Sequence, residues 1–162
     1  RYGNVMGSRG SVIPFFMKKK SEGVFPLTDT RMTRFNITLQ EGVDFVLACL
    51  KRMWGGELFV PKIPSYRILD VAKAIAPKAK TNIIGIRPGE KIHEVMISSD
   101  DSINTLEFNS YFVIQPAHPW WDNLKYIKIN GGKKVEEGFT YSSGNNTQWL
   151  TVEELKNMIS NL

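Results

Sequence analysis

The opening stretch, Arg1-Tyr-Gly-Asn-Val-Met-Gly-Ser-Arg-Gly-Ser-Val-Ile-Pro14, restricts the possible folds more than any other part of the chain. A short apolar pulse before Gly7 reads as a buried strand. Gly7 and Gly10 permit a tight loop, and Ser11 ahead of Pro14 caps a helix start. Strand, glycine loop and helix in that order belong to the α/β sheets that bind nucleotides. Because helix N-termini attract phosphate, this end is a candidate ligand wall. A chain that opens in mid-motif without an initiator Met is expected to be a piece of something longer.

Composition narrows the class. With 162 residues and 42% hydrophobic content, the chain is long enough for a real core and carries no signature of disorder. The formal charge of +5 would suit a nucleic-acid binder, but the basic residues are scattered. The one run, Lys18-Lys19-Lys20, falls where a helix ends and reads as a solvated last turn. Neither nucleic acid nor membrane is expected as a partner, since no stretch reaches the roughly 18 apolar residues of a membrane helix. A lone Cys49 on an apolar helical face excludes a disulfide framework and favours a reducing, cytoplasmic setting.

Along the chain, helix and strand alternate. A first helix runs from Ser11 to Lys20 and an extended piece from Val24 to Leu27. Thr38-Leu-Gln-Glu41 reads as a capping box for a helix whose Val43, Val46, Leu47 and Leu50 share a stripe until Gly55-Gly56. Glu57–Pro61 is a strand, and Ser65 caps a helix bearing Ile68, Leu69, Ala72 and Ile75. Thr81–Ile86 is another strand, turned by Arg87-Pro-Gly-Glu-Lys91 into a short helix through Met96. Thr105–Phe108 and Tyr111–Gln115 look like a β pair, and Thr151-Val-Glu-Glu154 opens a terminal helix with Leu155, Met158 and Ile159 together. The fold class is therefore α/β.

Catalytic motifs are scarce. There is no Gly-rich dinucleotide fingerprint, no Tyr-x-x-x-Lys pair and no Cys/His cluster with metal spacing. His93 and His118 have no evident partners, and His93 reads first as a packing or surface residue. Asp29, Asp100 and Asp101 fall in loops, where turns and caps are their usual work. What remains is a set of polar residues at strand ends: Asn4, then Thr28 and Asp29, then Arg87 and Glu90. An arginine fork grips a diphosphate, and a nearby carboxylate accepts hydrogen bonds from sugar hydroxyls, which together suit a nucleotide-sugar. The alternative is a structural turn with a local Arg87–Glu90 ion pair.

Four long blocks, Arg1–Phe16, Met32–Phe35, Glu57–Ser65 and Gly85–Met96, closely resemble the inverting UDP-N-acetylglucosamine 4,6-dehydratases of the extended short-chain dehydrogenase/reductase superfamily. The resemblance runs over essentially the whole chain and corresponds to the C-terminal part of such an enzyme. It implies the last strands of a Rossmann-type sheet plus a small α/β substrate-binding lobe, the cofactor-binding part and the catalytic pair lying upstream of Arg1. It also implies NADP as cofactor, a UDP-sugar as substrate and a homo-oligomeric complete enzyme. In that family C4 of the sugar is oxidised, which acidifies the C5 proton. Water then leaves across C5 and C6, and hydride returns at C6.

Position by position, the resemblance makes Asn4 a substrate contact. Val5, Arg9, Gly10, Ser11, Val12 and Ile13 become the loop and helix start that close on the cofactor. Pro26 and Thr28 follow the nucleotide base, Arg34 approaches the diphosphate, and Arg87 with Glu90 bind substrate. No catalytic residue and no metal ligand is expected in the chain. The side chains of Val5, Val12 and Ile13 read first as core, with the backbone meeting the ligand, and Arg34 is also readable as the partner of Asp29 or Glu41. Asn36 stands where the resemblance leads one to expect tryptophan. A 4-epimerase of the same superfamily, or a non-catalytic UDP-sugar-binding domain, are the other functions the pattern allows.

Overall fold

The computed structural model describes residues 1–162. In chain order the elements are β1 (Asn4–Val5), α1 (Val12–Lys19), β2 (Val24–Leu27), β3 (Thr33–Ile37), α2 (Leu39–Arg52), β4 (Leu58–Pro61), β5 (Ser65–Arg67) and α3 (Ile68–Ile75). They continue with β6 (Lys80–Ile83), β7 (Val95–Ile97), β8 (Thr105–Glu107), β9 (Tyr111–Ile114), α4 (Asn123–Asn130), β10 (Lys133–Lys134), β11 (Tyr141–Ser142) and α5 (Val152–Ser160). The chain divides into two compact units, one holding Gly3–Thr38, Ile63–Glu94 and Ser143–Leu162, the other Arg1–Tyr2, Leu39–Lys62 and Val95–Ser142.

In the first of these units β3 pairs with β1 in parallel and with β5 antiparallel, while β2 and β6 form a separate parallel pair. Helices α1, α3 and α5 bury one apolar face each around Phe16, Phe25, Val71 and Leu155. The Phe16 and Phe25 rings stack with centroids 4.8 Å apart, joining α1 to β2. At α5 the expected capping box is present: Thr151 Oγ1 accepts from the Glu154 N–H at 3.2 Å, and Glu154 accepts from the Thr151 N–H at 2.8 Å. The C-terminal segment is tied down further by Asn146, whose Nδ2 donates to Ile63 O at 2.8 Å and Ser65 Oγ at 2.9 Å.

The other unit is built on the antiparallel sheet β10-β8-β9-β4, with β7 and β11 as a second antiparallel pair. Its core gathers Phe59, Leu106, Val113 and Tyr126, with Trp54 and Trp121 packed on Tyr126. Helix α2 presents Phe45 and Cys49 to that core. Burial there pushes the Cys49 thiol up, away from the reactive thiolate.

Five expectations need correction. Ser65 is buried in β5, and Arg67 takes the N-cap position of α3. Ser11 does sit at the N-cap of α1 with extended backbone, but its side chain makes no capping hydrogen bond. The segment after Arg87 is a turn followed by irregular chain and β7, with no helix, because Gly89 adopts a left-handed φ of 81° and Glu90 folds its carboxylate back on the turn. The Val43, Val46, Leu47 and Leu50 stripe exists, but it faces outward, Leu50 being 61% exposed. The strand expected at Thr81–Ile86 is the shorter β6, with Ile83, Ile84 and Ile86 all exposed.

Candidate functional site

A cavity of about 410 Å³ opens within the unit that carries α1, β2 and β6. Its wall brings together three segments far apart in sequence: Gly10 and Val12 from the first loop and α1, Pro26 and Thr28 from β2 and its exit, and Arg87 and Glu90 from the turn after β6. Parallel pairing of β2 with β6, in the register Leu27↔Ile83, carries both strand ends to the same edge, so Thr28 and the Arg87–Glu90 turn emerge side by side. The result is a direct contact, Thr28 Oγ1 donating to Glu90 Oε1 at 3.3 Å.

Glu90 does more than meet Thr28. Its other oxygen accepts from the Arg87 N–H at 3.1 Å, and its own N–H donates to Arg87 O at 3.0 Å, closing the turn. The carboxylate thus bonds the Arg87 backbone, and no Arg87–Glu90 ion pair forms. The Arg87 guanidinium has no partner within the chain and is exposed at the cavity rim. An unneutralised fork beside a carboxylate with spare lone pairs matches an anionic group attached to a hydroxylated one.

The remaining lining was not legible in the motifs. Phe15, Lys18 and Ile84 also face the cavity. Phe15 and Lys18 are three positions apart on α1, one helical face, so the helical spacing held that signal even though the lysine run read as plain solvent exposure. Phe15, Pro26 and Ile84 give the cavity an apolar side suited to a flat ring.

The other expected residues lie off this wall. Asn4 is half-buried at β1 and its Oδ1 is buried without a partner; Ser11 Oγ is in the same condition. Val5 is half-buried in β1, Arg9 is exposed, and Ile13 is 2% exposed in the core, which makes its side chain a packing residue. Arg34 pairs with neither Asp29 nor Glu41: its Nη1 donates to Thr33 O at 2.7 Å and Ile92 O at 3.1 Å, and its Nε lies 3.4 Å from Glu94. Asp29 accepts from the Arg31 N–H and side chain, and that pairing holds its carboxyl down at about 2. Asn36, in the position expected to hold tryptophan, is buried, with its N–H on Pro64 O and its Oδ1 unpartnered.

For a nicotinamide cofactor, the relevant observation is the pair of orphaned oxygens. Asn4 Oδ1 and Ser11 Oγ are buried acceptors at a strand end and a helix start, and Gly10, at φ 79°, leaves open space where a Cβ would stand. Acceptors and an open backbone of that kind fit a ligand with amide or hydroxyl donors. No group of His, Cys, Asp and Glu capable of holding a metal ion is present. No helix is long and apolar enough to cross a membrane.

The chain is 55% identical over 99% of its length to a UDP-N-acetylglucosamine 4,6-dehydratase (inverting) of Campylobacter jejuni, and spans 50% of that protein. It is 38% identical over its full length to a UDP-glucose 4-epimerase of Rickettsia akari, of which it spans 48%. The X-ray structure of Pen from Bacillus thuringiensis superposes with a TM-score of 0.78 at 32% identity, covering 99% of this chain and 48% of that one. The fold is the mixed α/β arrangement of the extended short-chain dehydrogenase type, and the chain spans about half the length of these relatives. Residues 1–116 match the polysaccharide biosynthesis protein family, and the chain belongs to that family.

Proposed function

We propose that this chain is the C-terminal, substrate-binding portion of an NADP-dependent UDP-N-acetylglucosamine 4,6-dehydratase that inverts C5, acting in surface-glycan or pseudaminic acid synthesis. The observation that carries the reading is the convergence of Gly10 and Val12, Pro26 and Thr28, and Arg87 and Glu90 on one cavity. On this reading Arg87 grips the diphosphate and Glu90 accepts from a sugar or ribose hydroxyl. Pro26 and Thr28 border the base, with Phe15 and Ile84 supplying apolar contact. Asn4 and Arg34 are assigned to the substrate by likeness to the dehydratases. Val5, Arg9, Gly10, Ser11 and Val12 are assigned to the cofactor by the same likeness, Ser11 offering its orphaned Oγ, while Ile13 supports them from the core.

When bound, the nicotinamide accepts and returns the hydride that makes the elimination redox-neutral. The residues of this chain hold the nucleotide so that the sugar is presented to chemistry performed elsewhere in the intact enzyme, which works as a cytoplasmic homo-oligomer; the chain by itself is inactive. The test is product analysis of the intact enzyme with UDP-N-acetylglucosamine. A product lighter by one water supports the dehydratase; a product of unchanged mass with inverted C4 makes it an epimerase. Binding without conversion leaves a nucleotide-sugar-binding domain.

A further inference from the structure

The Arg87–Glu90 turn stands on exposed chain, yet the segment that follows it is fixed by a compact hydrogen-bond cluster. Thr33 N–H donates to Ile92 O at 3.0 Å, Ser143 N–H donates to Glu94 O at 2.8 Å, and Glu94 N–H donates to Ser143 Oγ at 2.9 Å. Between them lies His93, its Nδ1 2.8 Å from Thr33 Oγ1, which is itself 2.7 Å from Ser143 Oγ. Thr33 and Ser143 are both buried. Gly144 leaves room for the imidazole: a Cβ there would come within 2.6 Å of the ring.

Counting protons fixes the direction of this relay. Ser143 Oγ has one hydrogen and lies 3.1 Å from Thr33 O, a group that only accepts. With that hydrogen on Thr33 O, Ser143 Oγ must accept from Thr33 Oγ1, and Thr33 Oγ1 must in turn accept from His93. His93 therefore carries its proton on Nδ1. The reverse direction would set Ser143 Oγ and Thr33 O against each other without a hydrogen, so only one orientation satisfies all four contacts.

We propose that His93, as its Nδ1–H donor, is a positioning residue: it latches the segment following the Arg87–Glu90 turn to β3 and thereby sets the geometry of the nucleotide-sugar site. The inference rests on the reading of that site given above. Asparagine presents an amide N–H near the Nδ1 position, whereas glutamine presents one near Nε2. In the intact enzyme, His93→Asn keeps KM for UDP-N-acetylglucosamine close to that of the parent. His93→Gln and His93→Ala raise it about 10-fold, the worth of one neutral hydrogen bond, with kcat within about twofold. Amide hydrogen exchange over residues 87–94, followed by mass spectrometry without substrate, quickens about 10-fold in the Gln and Ala variants and stays slow in the Asn variant.

Equal behaviour of the Asn and Gln variants, unchanged exchange in the Ala variant, or a fall in kcat at constant KM would each overturn the proposal. The two readouts separate the hypotheses. If the parent enzyme does not use UDP-N-acetylglucosamine, the substrate reading falls, while the exchange data still decide for or against the latch.

Discussion

Replacing Glu90 by Gln and by Ala separates ligand binding from turn construction. The carboxylate holds two contacts in the chain, to the Arg87 N–H at 3.1 Å and to Thr28 Oγ1 at 3.3 Å. Glutamine preserves both, its oxygen accepting from Arg87 and its amide donating to the threonine hydroxyl, so the turn survives with the charge removed. Alanine loses both, at about 0.5–1.5 kcal/mol each, softened because water replaces them on exposed chain. If the carboxylate also accepts from a ligand hydroxyl, the charged hydrogen bond adds about 1.5–3 kcal/mol, so that Gln alone weakens UDP-N-acetylglucosamine about 10- to 150-fold. The assay is titration calorimetry on the intact enzyme, with Thr28→Val, expected to cost about fivefold or less, as the control for the long contact. A Gln variant that binds like the parent while Ala is impaired would refute the ligand role and reduce Glu90 to a turn residue.

Three further outcomes are expected. Phe16→Ala, removing a ring 1% exposed and stacked on Phe25, lowers stability by about 3–5 kcal/mol in urea unfolding; a loss under about 1.5 kcal/mol would mean that the α1–β2 core is not packed as described. The Asp29 carboxyl, held down at about 2 mainly by the Arg31 side chain, contributes stability that is fully present above its ordinary value of 3.8 and is lost as the pH falls through about 2. Asp29→Asn should therefore flatten the dependence of the urea midpoint on pH across that window, and an unchanged slope would count against the pairing. Leu47→Ser with Leu50→Ser, on the exposed stripe of α2, reduces self-association and dye binding of this chain while shifting stability by about 0.5 kcal/mol per site or less; a loss above about 2 kcal/mol would show the stripe to be packed within the chain.

Local rules were legible wherever one short stretch decides the outcome. The Thr151–Glu154 box is such a case, because both of its hydrogen bonds close within a single turn. The β8–β9 hairpin is another, since two short runs rich in β-branched and aromatic residues flank a brief connection. Elements that depend on a distant partner were read less well. Ser65 has the chemistry of a cap, but its N–H and carbonyl are taken by Gln148 and Leu150, which makes it a strand residue. The α2 stripe was found by its period, and a period states that a face is apolar without stating what covers it. His93 looked isolated because its partners, Thr33 and Ser143, are 60 residues before it and 50 after it in the numbering of the chain.

The Arg-Pro-Gly-Glu motif shows what residue types alone leave open. Opposite charges three positions apart are equally compatible with a self-neutralising pair and with two groups aimed at a ligand, and their order in the sequence does not choose between them. The choice is made by the backbone: Gly89 turns the chain so that the Glu90 carboxylate meets the Arg87 N–H, where a carboxylate closes a turn more firmly than a neutral group would. That bond keeps the acid occupied with the peptide and leaves the guanidinium without an ion-pair partner at the cavity rim. An ion pair would have to be broken before an anion could bind, whereas a fork already free of its carboxylate binds without that loss. The same turn is anchored through His93 on one side and Thr28 on the other, so the motif's two charges have different tasks. Glu90 holds the turn while keeping lone pairs to spare, and Arg87 carries a charge that no carboxylate of the chain neutralises.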